Sequence, residues 1–321
     1  MSLDHAAVAR LQSAVLTWFD RQARAFDFRG IRDPYAILVS EVILQQTQAT
    51  RGEPAWRAFM DRFPTVDVLA AAPPADVLRQ WSGLGYNRRA LNLQRAARAI
   101  VEWHGGRVPD DLASLEALPG IGPYTARAVA AIAFGRPVGP VDTNVRRVLG
   151  RVVAGHGSAH DAGLAMAPRD LQATADAIVP VHRPADWTAA LMDIGATLCK
   201  PSQPDCAACP LVGECRYAAR LAESAVPGAA QRSAPTGAIA DGAAPAHRRA
   251  AEPAARYETT NRWLRGRIMA RLSGADGDAW LTIAAPIGAH GPDAVASALA
   301  ELRTEGLAET DGSGRWRLPI E

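Results

Sequence analysis

Val8, Leu11, Val15 and Phe19 recur every three to four residues near the start of the chain, which predicts a helix with one apolar face. The same period continues with few breaks to about residue 220. Asp33 followed by Pro34 marks a helix start, because a short acidic side chain caps the first free amides and proline tolerates the first turn. The segment it opens, PYAILVSEVILQQT, is predicted to stay helical to Thr47. Further helices are predicted at roughly 54 to 62, 74 to 81, 88 to 104, 111 to 117, 123 to 134, 143 to 153, 169 to 179 and 184 to 197. Period-2 alternation is missing, so the body is expected to be all-α.

From 223 to 258 the pattern dissolves into Ala, Pro, Gly and Ser, a linker composition that cannot bury a core. Periodicity returns over 259 to 321. Helices near 260 to 273, 282 to 287 and 292 to 305, then a hairpin around Asp311-Gly312-Ser313-Gly314, predict a small winged-helix-like module. That module holds seven basic and eight acidic residues, a net of −1. It can therefore be a packing or partner domain as readily as a DNA reader.

Composition adds three constraints. The 321 residues are 48% hydrophobic and 21% charged, a soluble globular balance long enough for two domains. The first 21 residues or so are broken by Asp4, Arg10 and Asp20, and no run approaches 18 apolar residues, so neither a signal peptide nor a membrane span is expected. A cytoplasmic place follows, and there disulfides are disfavoured. Net charge is only +2, but residues 1 to 222 carry 24 basic and 21 acidic groups, so the excess lies in the helical body. Lys200 is the sole lysine against 34 arginines, which excludes a lysine amine from any mechanism at another position.

Three features carry chemistry. Cys199, Cys206, Cys209 and Cys215 fall within 17 residues, a set that suits a [4Fe-4S] cluster or a structural zinc. Leu118-Pro119-Gly120-Ile121-Gly122-Pro123-Tyr124-Thr125-Ala126 joins two helices through a glycine turn, and helix amides opening after such a turn can hold a phosphate. Two carboxylates are out of place. Glu41 sits among Ile37, Leu38, Val39, Val42, Ile43 and Leu44, where desolvation raises an acid unless an arginine meets it. Asp142 precedes the 143 to 153 helix as an N-cap, and could also face a developing cation. A raised acid beside an ionised carboxylate is the pairing that glycosidic cleavage uses.

SEVILQQTQ at 40 to 48, GLGY at 83 to 86, LPGIGPYTA, VDTNVRRVL at 141 to 149 and the cysteine spacing together resemble the helix-hairpin-helix DNA glycosylases, specifically the MutY-type adenine glycosylases. The resemblance covers about residues 8 to 217. It implies a two-lobed all-α fold: a six-helix barrel at 29 to 135, an iron-sulfur lobe from 1 to 28 and 136 to 222, and the winged-helix-like module after the linker. It implies a [4Fe-4S] cluster on the four cysteines, and a monomeric, nucleoid-associated enzyme acting on duplex DNA with a mispaired base. By resemblance Glu41 protonates the adenine ring, Asp142 stabilises the sugar cation, and Tyr124 and Asn144 support them. Gln46 and Tyr86 resemble residues that wedge into the duplex where the base leaves. Gln45, Gly120, Gly122, Thr125 and Arg29 are expected at DNA. Lyases similar to endonuclease III place a Schiff-base lysine where this chain has Tyr124, so a monofunctional glycosylase of adenine opposite 8-oxoguanine or guanine is expected.

The family's usual Leu-Pro-Trp-Arg is Phe26-Asp27-Phe28-Arg29 here, the residue after GLGY is Asn87, and the 259 to 321 module is not expected to be the Nudix-like domain with which typical relatives read 8-oxoguanine. Two alternatives stand beside the adenine reading: a thymine or uracil mismatch glycosylase on the same fold, and a non-catalytic iron-sulfur DNA-binding protein.

Overall fold

The computed structural model describes residues 4–156, 166–224 and 257–320. The expected linker falls largely outside the described residues. The chain divides into two units, Met1–Ala49 with Arg107–Ser233, and Thr50–Gly106 with Ala234–Glu321.

The first unit is built from α1 (His5–Gln22), α2 (Pro34–Leu44), α7 (Leu112–Ala117), α8 (Pro123–Phe134), α9 (Thr143–Leu149), α10 (Pro168–Ala177), α11 (Pro184–Thr197) and α12 (Arg216–Ser224). Asp4 and Asp33 cap α1 and α2 by accepting the amides of Ala7 and Tyr35. Leu11, Val15 and Phe19 of α1 are buried against Val148, Val152, Trp187 and Ile194. Helix α2 is buried nearly all round, from Tyr35 to Ser40 and again at Val42 and Ile43, so it forms the centre of the unit rather than a surface helix. It packs on α8, and α8 and α9 pack on α11. The helix expected over 143 to 153 ends as α-helix at Leu149 and continues as a π-turn through Ala154.

The second unit joins α3 (Ala49–Arg62), whose first residue belongs to the other unit, to α4 (Val66–Ala71), α5 (Pro74–Gln80) and α6 (Arg88–His104). Its aromatic centre is Phe59, which meets Phe63 at 5.0 Å and Trp81 edge-on at 5.9 Å. The C-terminal part adds α13 (Asn261–Ser273) and α14 (Pro292–Thr304), closed by Leu264, Ile268, Leu299 and Leu302. A small sheet of β1 (Leu281–Thr282), β2 (Glu309–Thr310) and β3 (Arg315–Arg317) runs β1-β3-β2, fully antiparallel.

The helix expected at 282 to 287 is not formed. Leu281 and Thr282 pair with Trp316 and Arg315, and Ile287 bridges His290, so the apolar run serves a sheet edge. The module is therefore two helices and three strands. Helix α4 was not anticipated, because six residues with only Val66 and Leu69 buried leave too short a period to see.

Candidate active site

Glu41 is the one charged residue of α2. Burial pushes its carboxyl up to about 7, the nearby charge of Asp142 pushes the same way, and a hydrogen bond from Tyr124 partly offsets them. The Tyr124 hydroxyl donates to Glu41 Oε2 at 3.3 Å. Burial raises the phenol well above its ordinary value, so Tyr124 remains a donor. No arginine meets Glu41 among its recorded neighbours, so the acid stays available rather than locked in an ion pair.

Tyr124 reaches that position because it opens α8 after the hairpin. Leu118 and Ile121 are buried and anchor the turn, while Gly120 takes φ +76°, a left-handed conformation that glycine adopts without strain. Gly122 is the N-cap of α8 and brings no side chain to the first amides, which leaves that helix end suited to an anionic oxygen.

Asp142 does cap α9. Its Oδ1 accepts the Val145 amide at 2.7 Å, and its Oδ2 accepts Asn144 Nδ2 at 2.9 Å. Asn144 in turn accepts from Arg147 at 2.8 Å, and Arg147 donates to the carbonyls of Cys199 at 2.6 Å and Gly195 at 2.7 Å. A hydrogen-bonded line thus runs from the Asp142 carboxylate to the backbone of the first cysteine. It depends on α9 approaching α11 closely. A Cβ on Gly195 would lie 2.6 Å from Asn144 Cβ, so only glycine fits there.

All four cysteines are free thiols, half-buried, and line a single hollow together with Val148, Arg151 and Leu211. Among the described residues no three ligating side chains converge closely enough to hold a single metal ion. Burial pushes the Cys209 thiol up to about 12 and raises Cys206 and Cys215 as well, so thiolates in this hollow require a compensating positive centre. Arg151 supplies part of that, donating to the Cys199 sulfur at 3.2 Å while buried beneath the Tyr217 ring. Four thiols lining one apolar hollow are a donor set that suits thiolate-ligated metal.

Three residues expected at DNA make hydrogen bonds within the protein. Arg29 forms a double hydrogen bond with Asp193, 2.7 Å on each oxygen, and also donates to the Arg24 carbonyl. Asp193 is fully buried; burial alone would raise it, yet Arg29 and Arg24 hold it below the usual carboxylate range. Thr125 is buried, and its hydroxyl accepts from Gln45 Nε2 at 3.1 Å, so this pair ties α2 to the hairpin helix. Gln46 is exposed with φ +55°. The Arg147 link and the Asp193 pair were missed at the sequence level. An arginine inside VDTNVRRVL and an aspartate inside an apolar helix were the available signals, but neither names its partner.

In the second unit GLGY forms a tight loop before α6. Gly83, Gly85 and Tyr86 all have positive φ, at +85°, +72° and +48°, and the Tyr86 ring is 43% exposed. Arg89 lies over both Trp81 and Tyr86, at 5.1 and 5.7 Å, and burial there lowers its guanidinium to about 10.

Residues 39–165 match the model of the HhH-GPD superfamily of base excision DNA repair proteins. The adenine DNA glycosylase of Mycolicibacterium smegmatis is 39% identical over 311 residues, 96% of this chain and 95% of that one. The human adenine DNA glycosylase is 39% identical over 227 residues, 68% of this chain and 41% of its own length. This chain belongs to the adenine DNA glycosylase family of that superfamily. Among solved structures, a thermostable thymine-DNA glycosylase superposes with a TM-score of 0.61 at 30% identity, covering 67% of this chain and 98% of that one. A DNA complex of endonuclease III gives 0.57 at 24% identity over 68% and 99%, a likeness of fold.

Proposed function

We propose that this protein is a base excision repair enzyme that hydrolyses the N-glycosidic bond of adenine in duplex DNA, and that the carrying observation is the Glu41–Tyr124–Asp142 constellation. Adenine leaves poorly as an anion. A carboxylic acid still protonated near neutral pH can deliver a proton to the ring, so that the C1′–N9 electron pair departs onto a cationic base and adenine leaves neutral. Glu41, raised to about 7, suits that role. Asp142, held by the Val145 amide and Asn144, places a carboxylate for the oxocarbenium-like sugar that results. Water then adds to C1′ and gives up a proton to the Glu41 carboxylate, which restores the acid.

The reaction stops at the glycosidic bond. A lyase step needs an amine at the site, and Tyr124 occupies that position while the sole lysine, Lys200, adjoins Cys199. The Gly120–Gly122 turn is proposed to hold the duplex through phosphates, and Gln46 and Tyr86 are each proposed as residues that enter the base stack. Adenine opposite 8-oxoguanine or guanine is the proposed target, and the enzyme works as a cytoplasmic monomer on the chromosome. The lobes proposed are the barrel at 29 to 135 and the cluster lobe of 1 to 28 with 136 to 222.

The four cysteines are proposed to hold a [4Fe-4S] cluster, which would supply a rigid, charged anchor for the loop and for the Arg147 link. Anaerobic preparations are expected to absorb near ~400 nm and to carry about four irons per chain; one zinc and no iron would refute this. The function itself is tested by single-turnover release from A·8-oxoguanine, A·G, T·G and U·G duplexes side by side. Adenine release is the expected result. Preferential loss of thymine or uracil would replace the reading, as the likeness to a thymine-DNA glycosylase makes worth measuring.

A further inference from the structure

The C-terminal helices and the GLGY loop lie in one unit, and a side chain from each meets at Tyr86. Arg262, in the first turn of α13, sets its guanidinium 4.5 Å from the Tyr86 ring centroid, closer than Arg89 at 5.7 Å. The two residues are 176 positions apart, so only the docking of the module creates the pair. That docking has its own supports. Helix α13 packs on α5, and Arg79 of α5 donates to the Gly277 carbonyl and faces Asp278 at 3.8 Å.

Among the described residues, three of the module's arginines pair with carboxylates, and Arg262, like Arg267, Arg271 and Arg303, does not. Thr260 caps α13 by accepting the Trp263 amide. Arg265 takes Glu301 at 2.9 Å and Glu305 at 2.6 Å, and Asn261 takes Glu301 as well. Arg315 and Arg317 pair with Asp311 and Glu309. Among the described residues no carboxylate pairs with Arg262. Its guanidinium instead lies on an exposed aromatic ring whose backbone is in a left-handed conformation that tyrosine rarely adopts, so the loop's display of the ring is imposed by its surroundings. An exposed ring with an unneutralised guanidinium on it is the chemistry that takes a nucleobase face and the phosphate beside it.

We propose that the module at 259–321 is part of the duplex-binding surface, and that Arg262 is a positioning residue for Tyr86: it stacks on the ring and brings a positive charge to the phosphates flanking the extruded base. The inference rests on reading Tyr86 as the residue that enters the duplex. It gives a module of net charge −1 a nucleic-acid role through the placement of one side chain.

The test uses full-length protein and a mismatched duplex carrying a non-cleavable adenosine analogue, with the matched duplex as reference. Binding is titrated at several salt concentrations for wild type, Arg262→Ala, Arg262→Lys, Tyr86→Ala and the Arg262→Ala/Tyr86→Ala double variant. Arg262→Ala is expected to weaken mismatch binding about 5-fold to 10-fold and to reduce the salt slope by about one counterion. Single-turnover release at saturating enzyme should change less than about 2-fold, since chemistry is untouched. Arg262→Lys should keep the salt slope but lose affinity, because ammonium does not stack as a planar guanidinium does. The double variant should lose less than the sum of the single losses. A folding defect alone would lower the melting temperature without changing the salt slope, and that pattern would overturn the inference. Wild-type affinity and slope in Arg262→Ala, with Tyr86→Ala still weakened, would overturn it while leaving the Tyr86 reading intact. An unaffected Tyr86→Ala would instead remove the reading and the inference together.

Discussion

Glu41 and Asp193 are both carboxylic acids taken out of water in the same unit, and they end in opposite states. Asp193 is met by Arg29 on both oxygens and by the Arg24 guanidinium at 2.6 Å and amide at 3.1 Å, and is held low. Glu41 takes a hydrogen bond from the Tyr124 hydroxyl, meets no cation among the described residues, and rises to about 7. Desolvation pushes both upward, and Asp193, fully buried, is the more enclosed of the two while Glu41 is half-buried, so burial is not what holds Asp193 low. The presence of a cation is. One acid is committed to holding α1, the 24–29 turn and α11 together. The other retains a proton to give away.

That contrast breaks if the two residues can exchange consequences. The largest effect is expected from Glu41→Gln, which keeps the shape but cannot give up a proton: single-turnover adenine release should fall by about 10²–10⁴-fold while duplex binding persists. Full activity in that variant would end the acid assignment. Asp193→Asn should do the reverse. Stranding two arginines beside a neutral amide should cost about 3–5 kcal/mol in a denaturant melt, with release below the melting range within a few-fold of wild type. A folded Asp193→Asn protein that has lost catalysis would mean the pair belongs to the active site.

Smaller effects sharpen the comparison through pH. Because Glu41 is raised to about 7 in the folded protein against an ordinary value near 4.5, the folded state holds its proton more tightly than the unfolded chain. Stability from this group is greatest below about 4.5, declines as pH rises, and levels off above 7. Glu41→Gln should accordingly be more stable than wild type at pH 8 by roughly 1–3 kcal/mol and nearly equal at pH 4, as read by thermal melts at both. Wild-type release should fall as pH passes through about 7. The smallest effect is expected from Tyr124→Phe. The lost hydrogen bond favoured the charged acid, so the alkaline limb of the rate profile should move up, by less than about one unit.

Helix positions were legible along most of the chain: α6, α8 and α11 lie where the apolar period places them, and Asp33 and Asp142 cap as their sequence context implies. The hairpin and the cysteine cluster were legible too, because glycine turns and closely spaced thiols are local features. Other features were not. Arg29 looked free for DNA because Asp193 is 164 residues away. Thr125 and Gln45 were both expected at DNA, and nothing local shows that they pair with each other. Thr282 looked helical until β3 offered an edge to pair with.

The order of helices, their caps, the glycine turn and the lack of any amine at position 124 follow from the chain alone, since each depends on residue type and on neighbours within about one helical turn. Tertiary structure decided the proton affinity of Glu41, the partner of Arg29 and the meeting of Arg262 with Tyr86. Desolvation and charge pairing act through space, and their outcome depends on which distant side chain the folding of the helices brings within a few ångströms.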